Sequence, residues 1–284
     1  NSHMFIIQTG FSNEKTDYNT NDYLMELLIL VDACKRSAVR SINVIMPYCM
    51  YSRQDKKDES RAPITAKLMA RMLENSGVNR IVFMDLHSSQ IQGFFEIPAD
   101  NIYSAIIYNN YFNQTLFKEL TPEERSDYFI VISPDAGATK RTLKFAKMMK
   151  LDMALMHKER TGPNQVEKTQ LICDKTKLIG KTAIICDDMC DTAGTLTNAI
   201  NTLEEYGIKE VICVITHSIL SGPAIERLNT CKLLSRIIVS NSIPQTINLK
   251  QCSKLEVVSI EGLMSEIIKR LLINDSISEL FKVE

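Results

Sequence analysis

Carboxylates, hydroxyls and a glycine converge in Asp187-Asp188-Met189-Cys190-Asp191-Thr192-Ala193-Gly194-Thr195. The run follows an apolar stretch at 182–186 and leads into a helical pattern from 195. A helix N-terminus presents free N–H groups and the positive end of a dipole, which suits a phosphate. Thr192 and Thr195 add hydroxyl donors, and Gly194 allows close approach to the backbone. Asp187 and Asp188 suit the hydroxyls of a ribose or, less directly, a magnesium ion. A plain Asp/Thr helix cap would use the same residue types. The full spacing, an apolar run and then DDxxDTxGT, is more specific than a cap requires.

Other reactive clusters also follow strand-like runs. Arg53-Gln54-Asp55-Lys56-Lys57-Asp58 is dense in cations. Arg53 could fork onto phosphate oxygens or stack on a purine. The plain reading is a solvated charged loop. His87 comes just after the run at 81–85, where a lone histidine is more often structural. Asp135 ends a strand in Ser133-Pro134-Asp135-Ala136-Gly137-Ala138. Lys158 and Arg160 lie past the run at 153–156, before a polar stretch at 161–168. Read plainly, they are an exposed basic pair at a loop edge.

The elements that must position these residues alternate between strand and helix. Apolar runs suggest strands at 5–8, 42–46, 81–85, 128–133, 153–156, 182–187, 210–216, 237–240 and 255–259. Helical patterns cover 22–37, 63–76, 105–120, 138–150, 195–206, 223–229 and 262–271. Leu24, Leu27, Leu28 and Val31 form one apolar stripe. Pro63 suits a first helical position, and Gly77 and Gly207 suit positions just past helix ends. Near-continuous runs such as Val211-Ile212-Cys213-Val214-Ile215 fit parallel strands buried on both faces. The pattern predicts an α/β fold with right-handed crossovers. In such folds ligands bind beyond the carboxyl ends of strands, where the clusters above lie.

Composition narrows the function classes. A net charge of −1 gives no global field for nucleic acid or acidic membranes, so phosphate binding must be local. No apolar run reaches the roughly 20 residues of a membrane helix. None of the eight cysteines forms a CxxC pair, which argues against a zinc ribbon. Free thiols and no visible signal peptide suggest a reducing, cytoplasmic setting. Asn1-Ser2-His3-Met4 reads as an expression-tag scar outside the fold. The stretches 11–21 and 161–168 read as flexible.

The 187–195 run resembles the phosphoribosyl pyrophosphate motif shared by phosphoribosyltransferases and ribose-phosphate pyrophosphokinases. Further segments are similar to the pyrophosphokinases and stand in that family's order: Tyr51 to Asp58, Ser60-Arg61-Ala62-Pro63-Ile64, Met84-Asp85-Leu86-His87-Ser88-Ser89, Ser133 to Gly137, His157-Lys158-Glu159-Arg160 and Ser221-Gly222-Pro223-Ala224-Ile225. The resemblance implies two similar phosphoribosyltransferase-like domains, each a mainly parallel sheet flanked by helices. They are expected at 5–105 with 272–284, and at 106–271. It implies transfer of a pyrophosphoryl group from Mg-ATP to the 1-hydroxyl of ribose 5-phosphate. By the same resemblance Arg53, Gln54, Asp58 and His87 bind ATP, and His87 and Asp135 are magnesium ligands. Asp187, Asp188, Asp191, Thr192, Ala193, Gly194 and Thr195 hold ribose 5-phosphate. Asp135, Ala136, Gly137 and Ala138 form a pyrophosphate loop, with Ala138 where the family has glycine. Lys158 and Arg160 are transition-state cations on a flap. Arg61, Ser89, Ser276, Ser278 and Phe281 match or neighbour an interface site for phosphate and ADP in a hexamer built of dimers.

The family carries roughly 40 residues before the segment matching 5–10, and their absence would leave an exposed sheet edge. Phe11-Ser12-Asn13-Glu14 is no substitute for the family's adenine-reaching loop, because it follows the 5–8 strand rather than preceding it. Two rivals remain at this point. A phosphoribosyltransferase would share the 187–195 turn but would not need Arg53 to Asp58 or His87. A non-catalytic subunit of the synthase complex would keep the fold and depart at the flap.

Overall fold

Parallel pairing of short apolar strands builds both halves of the chain in a computed structural model that describes residues 2–12, 17–159, 168–173 and 175–281. Two compact units result, Asn1–Ser104 with Ile260–Glu284, and Ala105–Ser259.

The first unit opens with β1 (His3–Ile7), α1 (Thr20–Arg36), β2 (Ser41–Met46), α2 (Thr65–Ser76), β3 (Arg80–Met84) and β4 (Ala99–Ile102). Its sheet runs β1-β2-β3-β4, parallel throughout. Leu24, Leu27 and Val31 of α1 and Met69 and Leu73 of α2 share a core with Val44, Ile81 and Phe83 of the strands. The apolar stripe expected on α1 is thus its buried face. Asn19 starts α1 with a full capping box, its side chain taking backbone N–H groups while Asp22 returns the bond. Gly77 ends α2 in the left-handed region at φ 117°, a conformation glycine takes without strain.

The second unit holds α3 (Ala105–Gln114), α4 (Pro122–Tyr128), β5 (Phe129–Ser133), α5 (Thr139–Met149), β6 (Met153–Glu159), β7 (Lys168–Ile172), β8 (Thr182–Cys190) and α6 (Gly194–Glu204). It continues through β9 (Glu210–Ser218), α7 (Ala224–Thr230), β10 (Leu234–Ser240), α8 (Asn248–Gln251) and β11 (Leu255–Val258). Then α9 (Glu261–Leu272) belongs again to the first unit. The second sheet runs β11-β10-β9-β8-β5-β6-β7, and only its β6–β7 pair is antiparallel among the described residues. β8 lies inside it and is buried on both faces. Ala183 and Ile185 pack with Leu196, Ile200 and Leu228, while Ile184 and Cys186 pack with Phe112 and Phe145. This is the near-continuous apolar strand that parallel sheets require.

Strand order fixes where a ligand can enter. From β5 the chain moves outward to β6, whereas from β8 it moves the other way to β9. The connections therefore diverge between neighbouring β5 and β8, opening a crevice at their carboxyl ends. The loop after β5 carries Asp135, and the end of β8 carries Asp187 to Asp191.

Several expectations need correction. β8 does not stop at Asp187, because pairing with β9 continues to Cys190 opposite Ser218. His3 and Met4, read as scar, extend β1 opposite Ser41 and Ile42. α2 starts at Thr65 with Ile64 as its cap, so Pro63 precedes the helix instead of opening it. Residues 261–271 sit with the first unit rather than the second. Leu271 and the following 274–278 line a cavity there with Phe5, Asn43, Arg80 and Asp100. The stretch expected to be flexible at 161–168 yields Lys168 to β7, while Arg160 and 161–167 lie outside the described residues. Part of the 11–21 stretch, 13–16, lies outside them too.

Candidate active site

At the crevice the backbone is shaped before any ligand arrives. Ala193, the cap residue of α6, is left-handed at φ 58°, a conformation that costs alanine about 1 kcal/mol or more. It makes no side-chain capping bond. The first turn of α6 therefore lacks the side-chain cap that Asn19 gives α1. The turn is braced from behind. Arg227 Nη1 donates to the Thr192 carbonyl at 2.9 Å, and the Ser221 hydroxyl donates to an Asp191 carboxylate oxygen. The Ser221 N–H donates to the Asp191 carbonyl at 3.1 Å. A Cβ on Gly194 would lie 3.1 Å from Arg227 Nη1, so glycine leaves room for that brace. Thr197 ties its hydroxyl back to the Ala193 carbonyl at 2.9 Å. Thr195 falls in the first turn of α6.

The acid pair lies just upstream. Asp188 is buried, and its Oδ1 accepts Arg141 Nη1 at 2.9 Å. Asp187 Oδ1 is 3.4 Å from the same nitrogen and also accepts the Asp188 N–H at 2.9 Å. Burial raises the Asp187 carboxyl well above the usual carboxylate range. The neighbouring Asp188 charge pushes the same way, and Arg141 opposes both.

Across the crevice, the Asp135 loop is self-supporting. Asp135 Oδ1 accepts the Ala138 N–H at 2.9 Å, and the Ser133 hydroxyl donates to the Asp135 carbonyl at 2.8 Å. A Cβ on Gly137 would sit 3.2 Å from that carboxylate. Ala138 has φ −78° and ψ −12°, an ordinary right-handed conformation. Alanine is unstrained there, so the position does not need the freedom of the family's glycine.

The first unit has exposed groups of its own. Arg53, Gln54 and Asp58 are exposed, and Lys56 and Asp58 pair at 3.8 Å. The Gln54 carbonyl accepts the Ala66 N–H at 3.2 Å, which anchors this loop to the start of α2. Tyr51 and Arg61 are left-handed at φ 57° and 65°. His87 is exposed, just past the buried and left-handed Asp85, whose carboxylate accepts the Ser104 hydroxyl and N–H. Ser89 begins a six-residue 3₁₀ helix, Ser89–Phe94. Ser276 and Ser278 join hydroxyls at 2.8 Å and line the cavity of ≈ 460 Å³ described above. Phe281 meets Tyr103 edge-on at 6.0 Å between ring centres. The backbone of Lys158 lies in β6 opposite Thr169.

Residues 1–77 match the model described as the N-terminal domain of ribose phosphate pyrophosphokinase, and residues 168–282 match the phosphoribosyl synthetase-associated domain. Ribose-phosphate pyrophosphokinase 2 of Schizosaccharomyces pombe is 44% identical over 280 residues, 99% of this chain and 82% of the relative. The chain belongs to the ribose-phosphate pyrophosphokinase family. Ribose-phosphate pyrophosphokinase 4 of Saccharomyces cerevisiae is also 44% identical, over 98% of this chain and 79% of its own length. A crystal structure of phosphoribosylpyrophosphate synthetase from Mycobacterium smegmatis superposes with a TM-score of 0.82 at 36% identity, covering 95% of this chain and 82% of that one. Within this pyrophosphokinase fold, the second unit gathers Asp135 to Ala138 and Asp187 to Thr195 at one crevice. Arg53, Gln54, Asp58 and His87 lie in the first unit.

Sequence reading missed Arg141, Ser221 as a brace, and Arg227. One signal was available for Arg141. It falls in the first turn of α5, where the helix dipole disfavours a cation and no acid stands. A cation in that place calls for a partner outside the helix.

Proposed function

We infer that the chain is a ribose-phosphate diphosphokinase, transferring the β,γ-pyrophosphoryl group of Mg-ATP to the 1-hydroxyl of ribose 5-phosphate. The products are phosphoribosyl pyrophosphate and AMP. The observation that carries this reading is the 44% identity to pyrophosphokinases along 99% of the chain. The uncapped, braced turn at the β8–α6 junction agrees with it.

In this reading the α6 N-terminus and Thr192, Ala193, Gly194 and Thr195 take the 5-phosphate through N–H and hydroxyl donors. Asp187, Asp188 and Asp191 accept from the sugar hydroxyls. Arg53, Gln54, Asp58 and His87 hold ATP, and Asp135 to Ala138 hold the pyrophosphoryl group. The sugar 1-oxygen attacks the β-phosphorus, the bond from β-phosphorus to the bridging oxygen of AMP breaks, and the hydroxyl proton passes to solvent. No obligatory base is needed, because such transfers rest mainly on positioning and charge. Lys158 and Arg160 stabilise the charge that moves onto AMP and the transferring group.

Asp135 and His87 would hold a magnesium ion, which would supply positive charge to offset that of the phosphates. Asp135 offers a hard oxygen donor suited to a cation that keeps its waters, whereas the His87 imidazole is an uncommon ligand for it. Among the described residues no group of three or more His, Cys, Asp or Glu could hold a metal. The ion would therefore draw most of its shell from phosphates and water.

We assign the protein to the cytoplasm as a homo-oligomer. All eight cysteines are free. Among the described residues no helix is long and apolar enough to cross a membrane. Met25 and Ile29 of α1 present exposed apolar surface, which favours assembly. Ser276, Ser278, Phe281, Arg61 and Ser89 are proposed for regulation by phosphate and ADP. The decisive assay measures AMP and phosphoribosyl pyrophosphate formed from Mg-ATP and ribose 5-phosphate. Lys158→Ala should lower turnover by at least ~100-fold. Near-normal turnover in that variant would remove Lys158 from the mechanism.

A further inference from the structure

Arg141 stands where the two candidate loops meet. It is the third residue of α5, the helix that follows the Asp135 loop, yet its guanidinium lies on the acids of β8. β5 and β8 are neighbours at the point where the connections diverge. A side chain from α5 is therefore well placed to span the crevice floor.

Three features show that this placement is built rather than incidental. The first turn of α5 is a poor place for a cation, since the helix dipole opposes it there. The pair on β8 compensates. Asp188 is 4% exposed, and a buried carboxylate needs a partner. Finally, neighbouring strand residues ordinarily face opposite sides of a sheet. Here both carboxylates reach one guanidinium nitrogen, because Asp187 turns back onto the Asp188 N–H.

We propose that Arg141 is a positioning residue for the sugar: it holds the Asp187 and Asp188 carboxylates side by side, in the orientation that receives the hydroxyls of ribose 5-phosphate. The two like charges repel, and burial disfavours both. The Arg141 charge opposes both penalties, and its bonds to both carboxylates fix where they point before the sugar arrives. Arg141 need not touch the sugar for this. Its influence falls on ribose 5-phosphate binding, and less on ATP or on the transfer step. The inference rests on the pyrophosphokinase reading.

The test compares wild-type protein with Arg141→Met, which keeps length and loses charge, and Arg141→Lys, which keeps charge and loses the planar fork. AMP release is measured while each substrate is varied in turn. Arg141→Met should raise KM for ribose 5-phosphate about 10-fold or more, the scale of losing a hydrogen bond to a charged group. KM for ATP and kcat should change less. Arg141→Lys should recover part of the loss. An unchanged KM for ribose 5-phosphate in Arg141→Met overturns the proposal. So does an equal fall across ATP, sugar and kcat, which would mark Arg141 as structural or as a pyrophosphoryl contact. If Arg141→Met does not fold, Arg141→Lys and Arg141→Gln carry the same comparison, with thermal melting as the fold check. Silence of the wild-type protein with both substrates would instead sink the activity reading. Calorimetric titration of wild type and variants with ribose 5-phosphate alone then still decides whether Arg141 governs sugar binding.

Discussion

The turn after β8 and the loop at 53–58 are both assigned to phosphorylated ligands, yet they are built in opposite ways. The β8–α6 turn is fixed by its own protein. Ser221 of the β9–α7 loop, Arg227 of α7 and Arg141 of α5 reach it, and Asp188 is buried. The 53–58 loop is largely exposed, and the Lys56–Asp58 ion pair within it joins two side chains more than 70% exposed. A preorganised site spends its ordering cost in folding, whereas an exposed loop meets that cost when ligand binds. Substitutions in the first should therefore disturb fold and function together. Substitutions in the second should disturb function alone.

Asp188→Asn gives the sharpest contrast, because it removes one charge from the buried pair and leaves the volume. It should lower kcat/KM for ribose 5-phosphate on the order of 100-fold, comparable to losing one preorganised polar contact. Steady-state rates with the sugar varied check this. A loss under about 3-fold would show that the pair is not where the sugar binds.

Arg53→Ala tests the other side. The side chain is exposed, so the melting temperature should move little, in line with a surface change of about 0.5 kcal/mol or less. KM for ATP should rise about 10-fold through loss of a charged contact. If melting falls sharply, the contrast between a built site and an open loop fails.

The same contrast explains what sequence revealed. Buried parallel strands advertise themselves by unbroken apolar runs, and the core of β8 was legible for that reason. Its continuation through Asp187 to Cys190 was not, because aspartate is a poor strand former and only pairing with β9 keeps it extended. β4 hid similarly, with Asp100 and Asn101 inside a short strand held by β3. α4 carried a readable signal that went unused. Thr121, Pro122 and Glu124 form a capping box with proline at the helix start. At the site, motif spacing marked the residues offered to the ligand. The braces Ser221, Arg227 and Arg141 come from distant segments, and only the strand order brings them to the turn.

Ser221→Ala probes a brace without touching the proposed ligand groups. It removes the hydroxyl bond to Asp191, while the backbone bond between the same residues stays. Stability should fall by about 1 kcal/mol, below the range of a fully buried hydrogen bond to a charged group because Ser221 is half-buried. Thermal melting reads this directly. KM for ribose 5-phosphate should rise by a smaller factor than in Asp188→Asn. Equal effects would mean that Asp191 orientation matters as much as the acid pair itself.

The smallest effect concerns pH. Burial and the Asp188 charge hold the folded pKa of Asp187 above its unfolded value near 4. A carboxyl shifted upward binds its proton more tightly in the folded chain than in the unfolded one. Its contribution to stability is full below the unfolded pKa and is lost as pH climbs through the folded one. Wild-type protein should therefore lose part of its stability between about pH 4 and about pH 8 through this group, whatever other groups add. Asp187→Asn cannot titrate, so its melting temperature should depend less steeply on pH across that window. The difference between the two melting curves reports Asp187 together with its interaction with Asp188, since the remaining titrating groups are shared. Parallel curves would show that Arg141 fully offsets burial and the neighbouring charge. The acid pair would then resemble the exposed 53–58 loop in its electrostatics, despite its buried setting.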